Sequence, residues 1–128
     1  MVTVVVGILT HHRRLLLAQR PEGKDFPFTW ECPGGKVEGN ESHHQALRRE
    51  LKEELGFEVG ALPETAAIVQ SLADLDILLL FFRVSAWSPI VPREGQGFGW
   101  FQASEMHALP LAPGNLRVED ALRRVAFR

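Results

Sequence analysis

The stretch that decides the fold runs from Gly34 to Phe57, GGKVEGNESHHQALRRELKEELGF. A glycine-rich loop leads into a helix dense in carboxylates. Ser42, followed three residues later by Gln45, forms a capping box that satisfies two backbone N–H groups at the helix start. Gly56 supplies the stop, because the residue past a helix end often needs a left-handed conformation. On a wheel with Leu47 at zero and about 100° per residue, Leu51 and Leu55 fall at roughly 40° and 80°, a stripe for the core. Glu54, Glu50 and Glu53 fall at roughly −20°, −60° and −120°. Arg48, Lys52 and Arg49 take the other flank and the back.

Three carboxylates therefore share one arc beside a buried stripe. Like charges at these spacings repel by a few tenths of a kcal/mol per pair. A hard divalent cation with oxygen ligands would turn that repulsion into coordination. The alternative is a solvated helix face tied by pairs such as Arg49 with Glu53. The glycine loop in front of the helix favours the cation.

Gly35, then five residues to Glu41, then seven to Arg49-Glu50-Leu51, with Glu53-Glu54 and Gly56-Phe57 each one residue further on, resembles the Nudix hydrolase signature at every defining position. The similarity to MutT-type members extends along nearly the whole chain. It takes in Gly7, Arg20, Trp30 to Lys36, the Glu94-Gly95-Gln96 loop before Trp100, and Leu109 to Asn115. The resemblance implies an α/β fold, an α/β/α sandwich around a mixed central sheet, formed as a single domain over 1–128. It also implies Mg2+-dependent hydrolysis of a nucleoside triphosphate to the monophosphate and pyrophosphate, with Mn2+ as a substitute metal.

Composition sets bounds around that expectation. At 128 residues the chain makes one domain with a real core. Fourteen basic and sixteen acidic residues give a net charge of −2, so no nucleic-acid polymer or membrane is expected as a partner. The apolar start, Val2 to Leu9, is too short to span a bilayer and reads as a strand buried on both faces. The single Cys32 excludes an intramolecular disulfide and suggests a reducing compartment, so the protein is expected in the cytoplasm. Cys32 is read as a small buried packing residue, and the molecule as a monomer, with a dimer the alternative.

Further strands are expected over Leu15 to Gln19, Glu64 to Leu72, Asp76 to Ala86 as a central strand, and Phe98 to Phe101. Pro21 to Phe28 reads as loop, Ser104 as the cap of a short turn, and Asn115 to Phe127 as a closing helix.

A pyrophosphate linkage is inert because its oxygens repel nucleophiles, so catalysis needs a positioned water and neutralised charge. By resemblance, Glu50, Glu53 and Glu54 hold the metal, a backbone carbonyl of Gly34 adds a ligand, and Glu94 completes the site from across the cleft. Glu50 and Glu53 are the candidate bases, Arg49 orients Glu53, and Glu41 is the signature's structural acid. Arg20 and Lys36 are candidate phosphate contacts. Asn115 is placed either to read a purine edge or to cap the last helix. Base stacking would fall to Phe28, Trp30 or Phe81, each of which also suits the core. Two departures from the family's Pro-Ala-Asn-x-Pro pattern bear on the base: Gly114 precedes Asn115 and Arg117 stands in place of the second proline, and Leu72 to Leu75 has no aromatic residue. Oxidised guanine nucleotides lead as substrate, followed by cytidine nucleotides. ADP-ribose-type diphosphates and a non-catalytic nucleotide sensor are the remaining readings.

Overall fold

The computed structural model describes residues 2–56, 58, 77–85, 90 and 97–111. The expected strand over Glu64 to Leu72, the loop carrying Glu94 and the helix from Asn115 lie outside these residues.

Among the described residues, six strands form one mixed sheet. β1 (Val2–His11) turns into β2 (Arg14–Gln19), followed by the short β3 (Trp30–Glu31) and β4 (Gly34–Lys36). Helix α1 (His43–Leu55) comes next, then β5 (Ile77–Ser85), β6 (Gly97–Phe101) and a 3-10 turn over Ala103–Ala108. β5 runs parallel to β1, and among the described residues the other strand pairings are antiparallel. Asp76 to Ala86 was expected as the central strand. Among the described residues that place belongs to β1, which has β5 along one edge and β2 and β4 along the other.

The β1–β2 pair holds only next to its turn, at Thr10↔Leu15 and His11↔Arg14. His12 and Arg13 make that turn with φ +49 and +62, the backbone that matches a hairpin's twist. Beyond it the two strands part. One segment, Trp30 to Lys36, fills the wedge between them: Trp30 and Glu31 bond to Gln19 and Ala18 of β2, then Gly34 to Lys36 bond to Val6 to Val4 of β1. The Gly7 N–H donates to the Pro33 carbonyl at 2.8 Å, where the segment crosses from one strand to the other.

Each face of the sheet buries alternate residues, as period-two side chains require. Val5 and Leu9 of β1 and Leu80 and Phe82 of β5 pack against Ala46, Leu47, Leu51 and Leu55 of α1. Val6 and Ile8, with Leu79 and Phe81, face the other way onto Cys32, Met106 and Leu111. Complete burial of a leucine contributes about 1.5–3 kcal/mol, so the Leu47, Leu51 and Leu55 stripe is the main force docking the helix. Gly7 lets it come close: a Cβ there would lie 3.3 Å from a Leu51 methyl and 3.0 Å from one of Leu9.

The helix ends follow the sequence. Ser42 Oγ accepts from Gln45 N–H at 3.1 Å, and Gln45 Oε1 from Ser42 N–H at 2.8 Å. Gly56 is left-handed at φ +62. The expected Ser104 cap is corrected. Ser104 lies within the 3-10 turn and Gln102 precedes it, its N–H donating to Glu105 Oε1 at 2.9 Å. The glutamate three residues on from Gln102 closes the turn in its place.

Candidate active site

Arg49 is the hub of the acidic helix face. Its Nε donates to Glu41 Oε2 at 2.7 Å and Nη2 to Glu41 Oε1 at 2.9 Å, a two-pronged grip that matches the planar fork to a carboxylate. Nη2 also donates to the Lys36 carbonyl at 3.0 Å. Nη1 bridges Glu50 Oε1 at 2.9 Å and Glu53 Oε2 at 3.3 Å. One guanidinium thus ties the helix to the glycine loop and holds two of the three arc carboxylates.

Glu41 fastens the loop from the other end, accepting the Glu38 N–H at 3.0 Å. The hydrogen bonds from Arg49, with that backbone donor behind them, hold its carboxyl down to about 2 from an ordinary 4.5. The same pairing, with Glu41 first and Glu50 adding to it, pushes Arg49 further above its ordinary value. Neither group changes charge near neutral pH.

Glu50 is more enclosed than Glu41 or Glu53, its side chain 14% exposed. It lies directly over Gly35, where a Cβ would collide with its carboxylate. Gly34 has a different constraint, because a Cβ there would strike the Val5 carbonyl oxygen across the sheet. The Gly34 N–H donates to Glu54 Oε2 at 3.3 Å. The sequence reading offered the Gly34 carbonyl as a ligand; the N–H contact to Glu54 carried no signal in spacing alone. Gly34, Gly35, Arg49, Glu50, Glu53 and Glu54 are brought together at the junction of β4 and α1. Glu53 is half exposed, as a surface-facing carboxylate would be.

Among the described residues, no three His, Cys, Asp or Glu side chains stand close enough to hold a metal ion. Arg49 draws Glu50 and Glu53 to itself, and Gly34 draws Glu54. The donor set is nonetheless all oxygen and anionic, which suits a hard divalent cation. Glu94 and Asn115 lie outside the described residues.

Of the candidate substrate contacts, Lys36 is exposed at the end of β4. Arg20 is engaged within the chain: Nε donates to the Asp25 carbonyl at 2.6 Å and Nη1 to Glu31 Oε1 at 3.1 Å. Burial pushes the Glu31 carboxyl above its ordinary value, with Arg20 opposing the shift. Of the three aromatic candidates, Phe81 is core at 1% exposure and Trp30 packs partly buried against Phe101. Phe28 is corrected in the other direction, since at 54% exposure it is no core residue. Phe26, at 58%, was not singled out from the sequence. Cys32 is buried as expected, and burial pushes its thiol up to about 12.

The family model described as NUDIX domain matches residues 1–122. The chain is 36% identical over 122 residues to the CTP pyrophosphohydrolase of Escherichia coli K12, covering 94% of this chain and 90% of that protein. It is 35% identical over 120 residues to the 8-oxo-dGTP diphosphatase of Haemophilus influenzae, covering 91% and 88%. The solution structure of the E. coli ORF135 protein superposes with a TM-score of 0.81 at 35% identity, covering 98% of this chain and 90% of that one.

Proposed function

Because the chain belongs to the Nudix hydrolase family and is a pyrophosphohydrolase, we propose that it hydrolyses a nucleoside triphosphate to the monophosphate and pyrophosphate, as a single cytoplasmic domain that clears unwanted nucleotides. Members of this family generally need a divalent metal ion. Mg2+ is the proposed one, with Mn2+ able to replace it. Glu50, Glu53, Glu54 and Glu94, with the Gly34 carbonyl, are the proposed ligands. When bound, the cation supplies the positive charge that a phosphate chain needs as negative charge develops on it.

The observation that carries this reading is the placement of Glu50, wedged between Gly35 and Arg49. A carboxylate so enclosed is held in one orientation before substrate arrives, and such preorganisation is the main source of catalytic power. Glu50 and Glu53 share the Arg49 Nη1 and are proposed to remove the proton from the attacking water as a coupled pair. Lys36 offers a point charge to phosphate oxygens at the loop rim. Asn115 is proposed to meet the base.

Oxidised guanine nucleotides such as 8-oxo-dGTP are the favoured substrates, and CTP-type nucleotides the second reading. The relative named CTP pyrophosphohydrolase supports the second, as do the departures around Asn115. The test is a panel of nucleotides assayed for both products, with Glu53→Gln as control. Glu53→Gln should remove most turnover and leave thermal unfolding unchanged. Full turnover in that variant, or its unfolding, would refute the assignment of Glu53.

A further inference from the structure

The turn between β1 and β2 brings two metal-ligating side chains together, far from the acidic cleft. Neighbours in an extended strand point to opposite faces of the sheet, so His11 and His12 would ordinarily diverge. Instead their ring centroids lie 4.0 Å apart at an interplanar angle of 61°. The cause is the backbone. His12 has φ +49 and Arg13 φ +62, a left-handed pair that two-residue hairpins usually fill with Asn-Gly. That conformation breaks the alternation of the strand and turns the second imidazole onto the first. A residue with a Cβ is strained there, and burial does not compensate it, since both histidines are exposed.

The surroundings set the pair apart. Trp100 of β6 lies beside it, its ring 6.0 Å from that of His11. Val6 is the partner of Gly34, and His11 lies five residues further along β1, about 17 Å at the rise of a strand. His43 and His44 are also exposed neighbours, but they sit on α1, where adjacent side chains do not face each other. The ring of His44 meets Phe82 edge-on at 5.2 Å instead.

We propose that His11 and His12 form a surface site for a divalent transition-metal ion of the Cu2+, Ni2+ and Zn2+ class, separate from the carboxylate cleft. Imidazole suits these metals, and two rings side by side leave the remaining positions to water. With metal–nitrogen bonds of about 2.0–2.1 Å, two rings on one ion have centroids about 4.5–5 Å apart. The pair needs to open by only about 0.5–1 Å to reach that spacing, a small movement for exposed side chains. A hard cation such as Mg2+ prefers oxygen and does not compete here. Arg13 and Arg14 oppose any cation, but both are exposed and damped by solvent and salt. The bond comes from nitrogen lone pairs, so the arginines bias the site toward Cu2+, the strongest binder of the series.

Titration of the full chain with Cu2+ in excess Mg2+ tests this, followed by calorimetry and by tryptophan emission. Cu2+ should bind and quench emission, because an ion held by His11 lies beside Trp100. His11→Ala and His12→Ala should each weaken binding about tenfold or more, at least what losing an outer-sphere partner costs a metal site. His12→Gly, which suits the left-handed turn, should show the same loss without a lower thermal midpoint. Trp100→Phe should keep the affinity and lose most of the quench, and His43→Ala should bind as the wild type does. Absence of Cu2+ binding overturns the site, as does an affinity that both tip variants retain or that excess Mg2+ abolishes. So does a loss of binding in His43→Ala, or a full quench in Trp100→Phe, since either puts the ion elsewhere.

Discussion

Replacing Gly35 with alanine separates folding from catalysis at a single atom. The added Cβ would fall on the Glu50 carboxylate, the far end of a side chain that can rotate away. Moving it breaks the 2.9 Å pair with Arg49, a part-buried hydrogen bond between charged groups worth about 1.5–3 kcal/mol. Against that, alanine restricts the unfolded chain and returns about 0.4–1 kcal/mol where the backbone suits it. The net loss is about 1–2 kcal/mol. For 128 residues, 1 kcal/mol moves the midpoint by about 4 °C, so Gly35→Ala should still fold and unfold about 4–8 °C below the wild type. Turnover should fall about a hundredfold, the usual cost of a reacting group displaced by an ångström. Thermal melts and pyrophosphate release measure both. The route through Glu50 is checked by the double variant with Glu50→Gln, which should be no slower than Glu50→Gln alone. Multiplying losses would refute the reasoning, and so would a wild-type rate in Gly35→Ala.

Removing the guanidinium in Arg49→Met should weaken acid tolerance. Glu41 contributes its stabilisation fully above its unfolded value of 4.5 and loses it as pH falls toward about 2. In the variant that window closes, and acid unfolding followed by circular dichroism should begin at higher pH. Leu51→Ala should cost about 2–5 kcal/mol in urea unfolding, because Leu51 is fully buried between α1 and the sheet. Cys32 should resist alkylation in the native protein at pH 8 and react only on unfolding, since its thiol is buried and held protonated.

Much of this was legible in the sequence because it depends on local rules. Capping, the 3.6-residue stripe and the left-handed stop at Gly56 are settled within a few residues, so α1 could be read to its ends. The carboxylate arc followed from the same wheel. What escaped depends on contacts between distant segments. Nothing in the spacing of Gly34 and Glu54 shows that an N–H of one meets an oxygen of the other. Parallel pairing of β1 with β5 joins residues some 75 positions apart, beyond any local pattern. Phe28 reads from the sequence as core more than pocket, because hydrophobicity carries no record of backbone sign. The sequence announces neither its exposure nor its φ of +63.

The wedge filled by Trp30 to Lys36 limits how such a chain can vary. A residue gained or lost inside it would shift the register against β1 and β2 at once, turning Gly35 away from Glu50. Length changes between Arg20 and Thr29 meet no such lock, because that segment starts and finishes on the same two backbone partners. Descendants could therefore change the length of that loop while the junction of β4 and α1 is inherited untouched.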